Sequence, residues 1–129
     1  MAKKNPRRLT ALEAVIMDAV WELSEATVRD VHNRLKPVKP MAYNTVLTMM
    51  RILREKGFLV SKRNGRADVY VAKVSREQVG RRSLCEVLQR FFAGSPRALV
   101  SELLDSEDLS EDQLREIRRE VNRKLRDSQ

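Results

Sequence analysis

Ala42-Tyr-Asn-Thr-Val-Leu-Thr-Met-Met-Arg-Ile-Leu-Arg-Glu-Lys-Gly57 and, directly after it, Phe58-Leu-Val-Ser-Lys-Arg-Asn-Gly-Arg-Ala-Asp-Val-Tyr-Val-Ala-Lys73 decide the fold of this 129-residue chain. The first segment places Val46, Met49, Met50, Ile52 and Leu53 at helical spacing and stops at Gly57, a residue suited to the left-handed backbone just past a helix. That spacing predicts a helix over 42–56 with Val46, Met49 and Leu53 turned inward. The second segment is two β-prone runs around Asn64-Gly65, the strongest short-range hairpin signal. A type I′ turn at those two residues sets Arg63 against Arg66, Lys62 against Ala67 and Val60 against Val69. The hairpin is then apolar at its base and cationic at its tip. Opposed arginines cost stability, and a bound phosphate would relieve that cost.

Upstream, Thr10 and Glu13 have the spacing of a capping box, with Pro6 just before them. Leu12, Val15, Ile16, Ala19, Val20 and Leu23 follow as one buried stripe of a first helix that Ser24-Glu25 ends. Ala26-Thr27-Val28 reads as a short apolar link able to give one pair of sheet residues. Val28, Val31 and Leu35 space a second helix of about ten residues that must stop before Pro37, and 37–40 makes a turn. Downstream, Ser75 with Gln78 and Ser110 with Gln113 are two further capping boxes, and Ser95-Pro96 starts a helix with proline at N1. The apolar residues behind these starts are Val79, Leu84, Val87, Leu88, Phe91 and Phe92; then Leu99, Val100, Leu103 and Leu104; then Leu114, Ile117, Val121 and Leu125. Trp21 and Tyr70 read as core residues, Cys85 as a small buried hydrophobe, and His32 as a surface residue or phosphate contact.

Charge divides the chain. Residues 1–75 hold 15 Lys+Arg against 7 Asp+Glu, a net of +8, whereas 76–129 hold 11 of each. The whole excess lies at the front, where it could meet phosphates. One Cys and one His are too few for a Cys/His zinc site, and one cysteine forms no disulfide within the chain. No metal, cofactor or catalytic residue is expected, and enzymatic function is disfavoured. Carboxylates crowd residues 105–112, where a helix start favours them without a cation. The basic start at 1–8 has no apolar stretch behind it and no uncharged run reaches membrane-spanning length. The expected location is the cytoplasm, at the nucleoid.

Three helices and then a hairpin, within about 65 residues, follow the winged helix-turn-helix plan. The expected architecture is mainly α with a small β-hairpin wing: a DNA-binding domain over 1–74, basic tail included, and a helical dimerisation region over 75–129. The third helix would enter the major groove and present Ala42, Tyr43, Asn44, Thr45 and Thr48 to base edges. Arg51 and Arg54, with Lys62, Arg63 and Arg66 of the wing, would meet the sugar-phosphate backbone, which positions the protein without specifying sequence. The last fifty residues are few for a self-sufficient core, so Leu88, Phe91, Phe92, Leu99, Leu103, Leu114, Ile117 and Val121 are expected at a homodimer interface whose two-fold axis matches a palindromic site. The alternatives are a winged-helix module that binds an acidic protein, and a repressor that answers to a small molecule.

The set Leu9-Thr10-x-x-Glu13-x-x-Ile16-Met17-x-x-Val20-Trp21, Thr27-Val28-x-Asp30-Val31, Ala42-Tyr43-x-Thr45-Val46-x-Thr48-Met49-x-x-Ile52-Leu53-x-x-Lys56-Gly57 and Gly65-Arg66-x-x-x-Tyr70 resembles the penicillinase-repressor family of the BlaI/MecI type, to which the CopY copper-responsive repressors are related. The resemblance covers about residues 9–125, including Phe91-Phe92-x-Gly94 and Leu109-Ser110. It implies a homodimeric repressor on dyad operators, often of the TACA/TGTA kind, released when a membrane-embedded sensor metalloprotease leads to cleavage in the C-terminal region. The family's scissile bond joins Asn to Phe; Glu102 and Leu103 stand at the corresponding positions here. The copper-responsive relatives carry a C-terminal cysteine cluster, whereas this chain has Cys85 alone, so no copper–thiolate switch is expected.

Overall fold

Thr10 and Glu13 form the box that starts the first helix, α1 (Ala11–Leu23): the Thr10 hydroxyl accepts from the Glu13 N–H at 3.2 Å and the Glu13 carboxylate accepts from the Thr10 N–H at 2.7 Å. The computed structural model describes residues 8–129; Pro6 and the part of the basic start before Arg8 lie outside the described residues. Of the expected stripe, Ile16, Ala19 and Val20 are buried and Val15 half-buried, with Met17 and Glu13 buried beside them. Leu12 and Leu23 are exposed instead. They share the stripe's sector but sit at the helix ends, beyond the elements that cover its middle. Ser24, at φ 68, turns the chain into β1 (Glu25–Ala26).

A box absent from the sequence reading, Thr27 with Asp30, starts α2 (Val28–Leu35), which buries Val28, Val31 and Leu35. The third helix, α3 (Tyr43–Lys56), buries Val46, Met50 and Leu53, while Met49, expected inward, is half-buried. The i, i+4, i+7 row through Met50 faces the core, and Met49 lies one residue off it. At its end Gly57 has φ 91 and the Phe58 N–H reaches the Leu53 carbonyl at 2.9 Å, so the left-handed glycine closes the helix and turns the buried Phe58 inward.

One ion pair ties α1 to α3. Lys56 Nζ lies 2.8 Å from Glu13 Oε1, and the two side chains are only 10% and 5% exposed. Burial alone would raise the Glu13 pKa. Hydrogen bonds from Lys56 and the Thr10 N–H, with the lysine charge, outweigh burial and leave it below the usual carboxylate range.

The sheet is antiparallel in the order β1-β3-β2, with β2 (Leu59–Asn64) and β3 (Ala67–Ala72) forming the wing. Its register corrects the expected one. Asn64 pairs with Ala67, Arg63 with Asp68, Lys62 with Val69 and Val60 with Val71, so the two loop residues are Gly65 and Arg66. Of the residues around the turn only Gly65 has positive φ, at 66°. A type I′ turn at Asn64-Gly65 would need it at both; glycine at the first central position needs it once. The two-residue slip keeps every side chain on its face. It also replaces the opposed arginines with an Arg63–Asp68 pair at 3.7 Å. Fully buried Tyr70 anchors β3, and Trp21, half-buried, donates to the Val74 carbonyl at 2.9 Å.

One compact unit ends at Ser83 and a second runs Leu84–Gln129. The helices α4 (Arg76–Phe91), α5 (Pro96–Ser106) and α6 (Glu111–Asp127) begin at the expected residues: Ser75 and Gln78 exchange their hydrogen bonds, as do Ser110 and Gln113, and Ser95 caps a helix with Pro96 in its first turn. None of the three buries a residue. Cys85, expected to be buried, is exposed: none of the described residues covers that turn of α4. No helix among the described residues is long and apolar enough to cross a membrane.

Candidate nucleic-acid interface

The inward row of α3 dictates its outward face. With Val46, Met50 and Leu53 committed to the core, Tyr43, Asn44, Thr45 and Thr48 stand exposed, and Ala42, the exposed N-cap, has no capping side chain. Tyr43 is in edge-to-face contact with His32 of α2, ring centroids 5.8 Å apart. His32, expected on the exposed or half-exposed side of α2, is half-buried. The outward face carries amide and hydroxyl donors and acceptors with threonine methyls, the groups that read base edges.

Beside that face lies a cleft of about 470 Å³ formed by the first turn of α2, the flank of α3 and the wing. Arg29, Arg51, Arg63 and Arg66 line it with Tyr43 and Leu47, and Asp68 is its one acidic lining residue. Arg29, Arg51 and Arg66 make no ion pair or side-chain hydrogen bond among the described residues. Four guanidiniums against one carboxylate, with the positive end of α2 at the rim, make a strongly anion-attracting concavity.

Of the five cations expected to meet phosphate, the fold gathers Arg51, Arg63 and Arg66 in this cleft. The other two have partners elsewhere: Arg54 donates to the Ser61 hydroxyl at 2.9 Å, and Lys62 lies 3.8 Å from Glu25. Sequence reading missed Arg29. The signal was the Thr27–Asp30 box, which places Arg29 in the first turn of a helix.

The residues expected at a dimer interface lie on the second unit and none is buried. Phe91 is 67% exposed, Val121 52% and Leu103 50%; Leu114 is exposed, and Leu88, Phe92, Leu99 and Ile117 are half-buried. Glu102 and Leu103 both sit exposed within α5.

A helix-turn-helix whose second helix shows a polar face beside a cationic wing defines a winged-helix protein of the nucleic-acid-binding type. Residues 9–123 match the penicillinase repressor family model, and the chain belongs to that family. It is 36% identical over 73 residues to the transcriptional regulator BlaI of Mycobacterium tuberculosis, covering 56% of this chain and 53% of that one. It is 22% identical over 116 residues to the methicillin resistance regulatory protein MecI of Staphylococcus aureus, covering 90% of this chain and 94% of that one. Among solved structures, the DNA-binding domain of the repressor BlaI superposes with a TM-score of 0.50 at 27% identity, over 58% of this chain and 90% of that domain.

Proposed function

We propose that this protein is a transcriptional repressor that binds operator DNA sequence-specifically as a homodimer. The observation that carries the reading is the exposed face of Ala42, Tyr43, Asn44, Thr45 and Thr48 set directly beside the four-arginine cleft. The helix reads bases in the major groove. Arg51, Arg63 and Arg66, joined by Arg29, hold the flanking phosphates, and Arg54 and Lys62, engaged by Ser61 and Glu25, contribute less to backbone contact. Membership of a repressor family supports the outcome, blocked transcription, and the cytoplasmic nucleoid as the place of action.

Pairing through 75–129 presents two copies of α3 to a dyad site. The unburied Leu88, Phe91, Phe92, Leu99, Leu103, Leu114, Ile117 and Val121 support it, since an apolar surface of that extent on a small unit calls for a partner. Release by a sensor-linked protease at or near Glu102-Leu103 follows from the family likeness; the mass of the chain recovered from induced cells identifies the cut.

The test uses a duplex enriched by the full-length protein from a random-sequence pool. Asn44→Ala or Thr45→Ala weakens binding to that duplex by about 1–3 kcal/mol and hardly changes binding to random DNA. Log affinity falls linearly with log salt, with a slope of about −0.9 per phosphate neutralised. A pool that yields no consensus, with equal losses on both duplexes, rejects base readout in favour of an interaction module for an acidic protein.

A further inference from the structure

Tyr43 occupies the first turn of α3 at the edge of the arginine cleft, 43% exposed. An aromatic side chain there has several staggered orientations open to it, and a ring that must be immobilised on binding lowers affinity by the entropy lost. The start of α3 has little of its own to hold the ring. Ala42 supplies no capping side chain, whereas Thr10, Thr27, Ser95 and Ser110 each cap their helices. What meets Tyr43 is the imidazole of His32, from the preceding helix, with ring planes at 73°. This edge-to-face arrangement is one of the two that ring quadrupoles favour. His32 is the chain's only histidine, half-buried, and it makes no hydrogen bond among the described residues.

We infer that His32 is a positioning residue for sequence readout: through its ring contact it fixes the orientation of Tyr43 at the groove-facing start of α3, and so acts on base discrimination, not on phosphate attraction. The inference rests on the DNA-binding reading above and adds a residue on α2 to the apparatus of selectivity. It also assigns His32 a role other than the phosphate contact the sequence left open.

The experiment compares wild type, His32→Ala, His32→Phe, Tyr43→Ala and the double variant His32→Ala/Tyr43→Ala as full chains. Each is titrated with the duplex enriched from a random pool by the wild type and with a random duplex of equal length. The expected result for His32→Ala is a loss of about two- to tenfold on the enriched duplex, with random-duplex affinity and salt slope unchanged. His32→Phe, which keeps a ring at the contact, recovers most of the loss. In the Tyr43→Ala background, His32→Ala has no further effect. Equal losses on both duplexes with a salt slope shallower by about one phosphate would identify a backbone contact and overturn the inference. Additive losses in the double variant, or a His32→Phe chain as weak as His32→Ala, would overturn it as well. A wild-type chain that enriches no sequence refutes the DNA-readout reading itself, an outcome distinct from all of these.

Discussion

Up to Ser83 the chain closes a core running from Ile16 to Tyr70, whereas from Leu84 onward it forms well-capped helices that bury nothing. Both regions use the same local devices: Ser or Thr at the N-cap, a carboxylate or glutamine three residues on, and apolar residues at helical spacing. The difference lies in what the apolar stripes meet. In the first region the stripes of α1, α2 and α3 converge with one face of a three-stranded sheet. In the second, Phe91, Leu103 and Val121 remain half or more exposed. A helix is specified locally; its stability depends on the surface that covers its apolar side. The first region therefore holds a core of its own, whereas the apolar stripes of the second are left uncovered by its own residues.

Four substitutions test that contrast. The largest effect is expected at Leu53, fully buried on α3, where Leu53→Ala lowers unfolding free energy by about 4 kcal/mol in urea titrations at any protein concentration. If Leu103→Ala costs as much in a chain diluted to monomer, the second region has a core of its own and the contrast fails. Next is Lys56→Met, which strands the buried Glu13 carboxylate and destabilises the fold by about 3 kcal/mol at neutral pH. Glu13 titrates lower in the folded chain than in the unfolded one. Its contribution is therefore complete above the ordinary carboxylate pKa and disappears as pH falls through the lowered value. The stability gap between wild type and Lys56→Met should accordingly narrow on acidification, followed by thermal melts across the acid range. The smallest is Phe91→Ala, expected to weaken self-association by about 2 kcal/mol, read by sedimentation equilibrium, while leaving the melting of the first region unchanged.

Much of the first region was legible because its signals are local. Periodicity placed α1, α2 and α3, Gly57 ended α3, and the Thr10–Glu13 capping box fixed the start of α1. The alternation of the third helix was enough to put Tyr43, Asn44, Thr45 and Thr48 outside. Apart from the hairpin register, which turned on a local backbone choice, the failures share one cause: each needed a partner distant in sequence. Asn64-Gly65 announces a hairpin, but the register between β2 and β3 depended on which residue takes positive φ, and that choice set Arg63 against Asp68. Glu13 read as half of a capping box, yet its second partner, Lys56, lies 43 residues away. Arg29 joined the cationic cleft because α2 places its first turn next to the wing. Cys85 sat on an apolar helix and was expected inside, but periodicity records which face is apolar, not whether anything covers it.

By itself the amino-acid order determined where the helices lie, which stripe of each is apolar, that a hairpin follows the third helix, and that positive charge collects in the first 75 residues. These depend on backbone sterics, caps and spacing within a turn or two. The tertiary structure alone decided which arginines share a cleft, which carboxylate meets which ammonium, and how His32 comes to hold Tyr43. Such pairings follow from how elements pack, and packing is settled by the summed burial of residues far apart in the chain, a quantity no local stretch contains.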